Sequence, residues 1–253
     1  MTESPVRSAE GLTLPSYVRV PDGVHPPLLS PAYRSTVGRA PLQPLVDLPQ
    51  RLTEVTGPLL GEGRVTETDA DLTAQSSVEP IGQRIVVQGQ VRDSDGRPVP
   101  HTLVEVWQAN AAGRYRHLGD SWPAPLDPGF VGAGRTLTDA DGRYRFTTIR
   151  PGAYPWGNHH NAWRPAHIHF SLFGRAFTQR LVTQMYFPDD PLFGQDPIFG
   201  VVPEPARERL VSRFSLDDTV PSWALAYEFD IVLRGRGATP FESSDTGDHE
   251  DEA

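Results

Sequence analysis

Apolar and polar residues alternate with a period of two over several short stretches of this 253-residue chain. RIVVQGQV, LVEVWQA, RYRFTTI, AHIHFSLF, QRLVTQMYF and YEFDIVLRG are rich in β-branched and aromatic residues. Turns bearing Gly, Pro and Asp, such as DSDGRPVP, separate them. This pattern predicts strands with one or both faces buried. One stretch, EPARERLVSRF (204–214), follows helical spacing instead. Its proline near the start, and Leu210, Val211 and Phe214, predict a helix with one buried face. Residues 1–50 are Pro-rich and aperiodic, which predicts an extended arm lying on the body or on a partner subunit. Loops with two acidic patches follow over 51–80, and a β-rich body starts near Gln83. The predicted fold class is all-β: an antiparallel β-sandwich with long loops, an extended N-terminal arm and one or two short helices. The chain divides into an arm (1–50), a sandwich domain (51–241) and an acidic tail (242–253) expected to be disordered.

The 23 glycines and 26 prolines exceed ordinary usage and favour short strands joined by turns over a helix bundle. The net charge is −9, partly from Glu242, Asp245, Asp248, Glu250, Asp251 and Glu252 of the tail. No basic stripe is present, so nucleic acid is not an expected partner. There is no cysteine, which excludes disulfides, zinc–thiolate sites, iron–sulfur clusters and a cysteine nucleophile in this chain. No stretch approaches the roughly 20 apolar residues of a membrane span. The start, MTESPVRSAEG, lacks the basic and apolar regions of a signal peptide, so a cytoplasmic location is expected.

The chemistry concentrates in AYPWGNHHNAWRPAHIHF (153–170). His167 and His169 stand two apart within the apolar frame Ala166, Ile168 and Phe170, so on a strand both imidazoles face one side. Imidazole is a common neutral metal ligand. Tyr154 lies between Pro151-Gly152 and Pro155, and Tyr115 lies just beyond a Gly-bearing turn. Backbone geometry rather than core packing would hold such tyrosines. A phenol, with a pKa near 10, becomes a ligand at neutral pH only when a strongly polarising cation displaces its proton. Phenolate is a hard anion, and Fe(III) suits it. A site of two histidines and a carboxylate, using Asp189 or Asp190, stays open at this point.

VEVWQANAAGRYRH, LDPGFVGAGRTLTDADGRYRF, YPWGNHHNAWRPAHIHFS, QRLVTQMYF and FDIVLRGRGATPFE together resemble the intradiol ring-cleaving catechol dioxygenases. TGPLLGEGRVTETDADLT and GQRIVVQGQV add to the resemblance, which runs from about Tyr33 to Glu242. It is strongest to the iron-bearing chains of the two-subunit branch of that family. The resemblance implies cleavage of protocatechuate by O2 to 3-carboxy-cis,cis-muconate at a non-haem Fe(III), in aromatic-compound catabolism. It implies Tyr115, Tyr154, His167 and His169 as iron ligands, with Tyr154 releasing the metal to take a substrate proton. Arg164 would lie against the substrate ring, and Gln184 would act beside the iron. Tyr33, Trp107, Trp156 and Ile198 would line the substrate pocket. A homologous α subunit would pair with the chain in αβ protomers of a larger oligomer. One departure from the resemblance stands out: Gly157 occupies a position where the iron-bearing chains of the two-subunit branch commonly carry arginine.

Three other readings compete. A catechol or hydroxyquinol enzyme would usually carry a helical N-terminal linker domain, unlike the Pro-broken residues 1–50. A non-catalytic sandwich subunit would be marked by loss of ligands, and all four, Tyr115, Tyr154, His167 and His169, are present. A zinc hydrolase using His167 and His169 leaves both tyrosines without a role.

Overall fold

The computed structural model describes residues 21–44, 65–173 and 180–242. The start of the arm, the TGPLLGEG stretch and the tail beyond Glu242 lie outside the described residues. Two sheets form the body. In the first, β1 (Arg84–Arg92) pairs antiparallel with β4 (Arg143–Ile149) along one edge. Along its other edge β1 runs parallel to β10 (Ala224–Glu228) and then to β11 (Ile231–Val232). The outer neighbour of β10 is the antiparallel β9 (Arg213–Val220). The second sheet is antiparallel throughout, in the order β3 (Ala133–Leu137), β2 (Leu103–Trp107), β7 (His167–Phe173), β8 (Arg180–Tyr186). A small hairpin of β5 (Tyr154–Pro155) and β6 (Trp163–Arg164) stands apart from both.

The core lies between the sheets, and alternation decides who enters it. Ile85, Val87, Tyr144 and Phe146 come from the first sheet, and Val104, Val106, Ile168, Phe170, Leu172 and Met185 from the second. The Phe170 ring meets those of Tyr144, Phe146 and Phe229 with centroids 5.9, 5.9 and 5.2 Å away. Such edge contacts add to the burial energy of each ring. Gly89 is required where β10 gives way to β11. A Cβ there would collide with the Phe229 carbonyl oxygen, and the Asp230 side chain takes the Gln90 N–H at 2.9 Å where the ladder breaks.

Because Ile168 and Phe170 fill the core, His167 and His169 face the outer side of the second sheet. Loops and short helices cover that side, so β7 is buried on both faces. Two of the helices are α2 (Pro197–Val201) and α3 (Glu204–Arg207), which enclose Tyr186 with Phe199, Val202, Ala206 and Leu210.

The helix expected over 204–214 is much shorter. After α3 and one 3-10 turn the chain turns extended. Ser212 is tied to the Tyr186 carbonyl through both its N–H and its hydroxyl (2.8 and 2.9 Å), and Phe214 pairs with Tyr227 in the sheet. Pairing between distant segments overrides the local helical spacing. Phe214 is 43% exposed instead of on a buried helix face. The arm differs from an extended segment at α1 (Ser35–Arg39), where the Thr36 hydroxyl, 2.7 Å from both the Ser30 and Tyr33 carbonyls, closes the turn. No helix among the described residues is long and apolar enough to cross a membrane.

Candidate metal centre

Strand register assembles the floor of the site. Trp107 and Gln184 flank His169 on neighbouring strands, and Tyr186 flanks His167. Paired residues project to the same face, so these five side chains share the outer surface of the second sheet. Trp107 stacks on the His169 ring, 4.8 Å away and 3° from parallel.

Two loops bring the tyrosines over this floor. After β2 the chain turns around Asn110, whose Oδ1 accepts from the N–H groups of Ala112 and Arg114 (2.9 and 3.0 Å). Gly113 follows with a φ of +78°, and a Cβ there would collide with the Ala153 carbonyl. That close approach sets the Tyr115 loop against the strand bearing Tyr154. Asp120 Oδ2 then accepts from the Tyr115 N–H at 2.8 Å. Tyr154 comes from β5, directly opposite Arg164 in β6.

The donor atoms converge. Tyr115 Oη lies 3.1 Å from His169 Nε2 and 3.5 Å from His167 Nε2. Tyr154 Oη lies 3.5 Å from His167 Nε2, and the two Nε2 atoms are 3.2 Å apart. His167 Nδ1–H donates to the Pro165 carbonyl at 2.7 Å, and His169 Nδ1 faces Glu242 Oε2 at 3.2 Å. Each imidazole therefore keeps its proton on Nδ1 and aims an Nε2 lone pair inward. Two lone pairs so close repel unless a cation or a donor hydrogen lies between them. Ligand atoms about 2.1 Å from one metal stand roughly 3–3.5 Å from each other, the spacing seen here.

Burial pushes the Tyr115 phenol well above its ordinary value, with the Tyr154 phenol adding to the effect. Burial also raises Tyr154, against the opposing pull of Arg164. Both phenols thus hold their protons until a strong cation replaces them. Burial, Arg164 and His169 keep the His167 imidazole neutral, well below the usual histidine range. Burial alone would raise Glu242, but His169 and Arg164 outweigh it and hold the carboxyl below its usual range. Two phenolates with Asp196 and Glu242 carry four negative charges, and Arg164 with a trivalent cation carries four positive ones. An enclosed site needs this kind of balance, and a divalent ion would leave it negative. The donor set therefore fits Fe(III).

Arg164 is buried and held through Nε and Nη2. Its Nε donates to Asp196 Oδ2 at 3.2 Å, and Nη2 donates to Gln184 Oε1 and to Tyr186 Oη, the latter at 3.4 Å. Its Cζ stands 5.5 Å from the Trp156 ring centroid, and Trp156 meets the edge of Tyr33 at 5.5 Å. Tyr115, Tyr154, His167, His169, Trp107, Arg164 and Gln184 are thus one cluster. Trp156 and Tyr33 form a tier reached through Arg164. Ile198 shares a small cavity with Gln184, Tyr186 and Glu242.

Asp190 is not part of the cluster: its carboxylate accepts from the N–H groups of Ala166 and Leu192 (3.3 and 2.9 Å). Among the described residues no group of three or more His, Cys, Asp or Glu could hold a metal. Sequence reasoning missed Tyr186, Asp196 and Glu242. Tyr186 was legible as the residue two beyond Gln184 on a strand, and Asp196 as an acid before a proline that opens a helix. Glu242, expected at the head of a disordered tail, is packed against His169 with 7% of its side chain exposed. The physical reason is backbone pairing of residues 239–242 with neighbouring strands, which local acidity does not reveal.

A family profile described as Dioxygenase matches residues 55–235, and one described as Protocatechuate 3,4-dioxygenase beta subunit N terminal matches residues 17–51. The chain is 62% identical to the protocatechuate 3,4-dioxygenase beta chain of Burkholderia cepacia, over 86% of this chain and 94% of that one. It is 30% identical to the protocatechuate 3,4-dioxygenase alpha chain of Pseudomonas putida, over 78% and 98% of the two chains. The solved 3-chlorocatechol 1,2-dioxygenase of Rhodococcus opacus 1CP shares the fold, with a TM-score of 0.50 and 23% identity over 66% of this chain and 65% of that one. Sequence, fold and the matched profiles agree that this chain belongs to the intradiol dioxygenase family.

Proposed function

We propose that this chain is the iron-bearing subunit of an enzyme that cleaves protocatechuate between its hydroxyl-bearing carbons with O2, giving 3-carboxy-cis,cis-muconate. The observation that carries the reading is the meeting of two phenol oxygens and two imidazole Nε2 atoms within 3.1–3.5 Å contacts. The 62% identity to a protocatechuate 3,4-dioxygenase beta chain supports the substrate. Tyr115, Tyr154, His167 and His169 would hold one Fe(III).

Bound there, iron would act as a Lewis acid and template for the catechol substrate. The chain's own residues do the rest. Tyr154 Oη takes a proton from a substrate hydroxyl, acting as general base. Arg164, opposite Tyr154 in the hairpin, sets positive charge where the ring gains negative charge. Gln184 and Tyr186 orient that guanidinium. Trp107 covers the His169 ring and excludes water from that side. Similarity to protocatechuate 3,4-dioxygenase alpha chains supports a homologous α subunit as the partner.

The test is the visible spectrum of the chain produced with its α-type partner and loaded with Fe(III). A tyrosinate-to-iron charge-transfer band that shifts on anaerobic addition of protocatechuate is expected. A protein that stays colourless after ferric loading overturns the ligand set. A band indifferent to protocatechuate but shifted by catechol overturns the substrate.

A further inference from the structure

We propose that Glu242 is a positioning residue of this metal centre, locking His169 so that its Nε2 lone pair faces the other three donors, and that His25 of the arm holds the segment carrying Glu242. The proposal rests on reading His169 as a metal ligand.

The segment is pinned from two sides. β8 is the edge strand of the second sheet, and residues 239–242 cover its open edge. The Glu242 N–H donates to the Val182 carbonyl at 2.7 Å, and the Thr183 hydroxyl donates to the Pro240 carbonyl at 2.6 Å. Successive N–H groups of an extended chain point opposite ways, so the Phe241 N–H turns from β8 toward the arm. There it donates to His25 Nδ1 at 3.1 Å, and the His25 and Phe241 rings lie 4.1 Å apart. The arm and the C-terminal segment thus meet directly behind the metal centre.

The contact they support has a chemical consequence. A neutral imidazole exists as two tautomers, and only the Nδ1–H form leaves Nε2 free for a metal. His167 obtains this from the rigid Pro165 carbonyl two residues away. His169 Nδ1 meets the Glu242 carboxylate instead, 73 residues along the chain. A carboxylate behind a ligating histidine fixes the ring and raises its basicity.

The experiment compares wild type with Glu242→Ala, Glu242→Gln and His25→Ala, each as the full chain with its α-type partner. Release of Fe(III) to a ferric chelator is timed, and the nitrogen shifts of His169 are read by NMR in the metal-free protein. Loss of an outer partner costs about 10–100-fold in metal affinity, so Glu242→Ala should release iron faster by about that factor and show His169 carrying protons on Nε2. Glu242→Gln, whose amide oxygen still accepts from Nδ1–H, should recover most of the loss, which mere destabilisation of the fold would not predict. His25→Ala should fall between wild type and Glu242→Ala, and release at the wild-type rate removes the arm from the proposal. Wild-type release together with unchanged His169 shifts in Glu242→Ala overturns the role of Glu242. A wild-type protein that takes up no Fe(III) overturns the metal reading itself, and the nitrogen shifts then still decide whether Glu242 sets the tautomer.

Discussion

One carboxylate, that of Asp196, anchors both Arg164 and the helix beside it: Oδ2 accepts from Arg164 Nε at 3.2 Å while Oδ1 accepts from the Ile198 N–H at 2.8 Å. The pair is almost wholly withdrawn from water, with 5% and 0% of the two side chains exposed. Removing one partner of such a pair strands a buried charge, at a cost of about 3–5 kcal/mol. Asp196→Ala should therefore lower unfolding stability by roughly that amount, measured by urea denaturation. It should also reduce kcat more than it raises KM, because a misplaced guanidinium stabilises the reacting ring less. Unchanged kcat would show that Arg164 is held by Gln184 and Tyr186 alone.

Tyr154→Phe removes one donor and the proposed base while keeping the ring that packs beside Tyr115, centroids 5.6 Å apart. Three donors remain, so iron content should stay near that of wild type while substrate binding slows by about 10²–10⁴-fold, the usual contribution of a general acid–base group. Stopped-flow mixing with anaerobic substrate measures this. Chelation at the wild-type rate would remove the base role. His167→Ala takes away a central donor and should leave the protein largely iron-free by metal analysis.

His25 links stability to pH. Burial, then the nearby Arg209, lowers its pKa to about 4 from an ordinary value near 6.5. The folded state therefore binds fewer protons than the unfolded state between these values. Its contribution is complete above about 6.5 and is lost as pH falls toward about 4. Denaturation midpoints across that window should rise with pH more steeply in wild type than in His25→Phe, which keeps a ring against Phe241 and does not titrate. Identical slopes would show that His25 is solvated in the folded protein.

Gly157 stands in open space: a Cβ there meets no atom within 4 Å, and the backbone is not in the left-handed region. Gly157→Ala should be neutral or stabilise by about 0.4–1 kcal/mol through the unfolded state. Gly157→Arg should fold equally well and shift KM for the carboxylated substrate rather than iron content. A drop in iron content would show that the loop presses on Tyr154.

Some of the site was legible because the information is local. The alternation in AHIHFSLF specifies that Ile168 and Phe170 enter the core and that both histidines face away from it, whatever the rest of the chain does. Gly113 and Pro155 likewise mark the two turns that present Tyr115 and Tyr154. The same local reasoning failed over 204–214. Leu210, Val211 and Phe214 are spaced for a helix, but hydrogen bonds from Ser212 to Tyr186, 26 residues away, draw the chain straight. Local preference is worth a few tenths of a kcal/mol per residue, which a paired and buried edge outweighs.

By itself the sequence determined β1, β2, β4, β7 and β8, the face each histidine takes and the residue types of the donor set, since each follows from spacing within a few residues. β3, β9 and the break between β10 and β11 were not legible in it. The tertiary structure decided which distant groups complete that set: Asp196 behind Arg164, Tyr186 beside it, and Glu242 behind His169. Those contacts depend on the register between segments tens of residues apart. No local period encodes that register; it emerges only when the sheets pack and the chain's last described turn closes over β8.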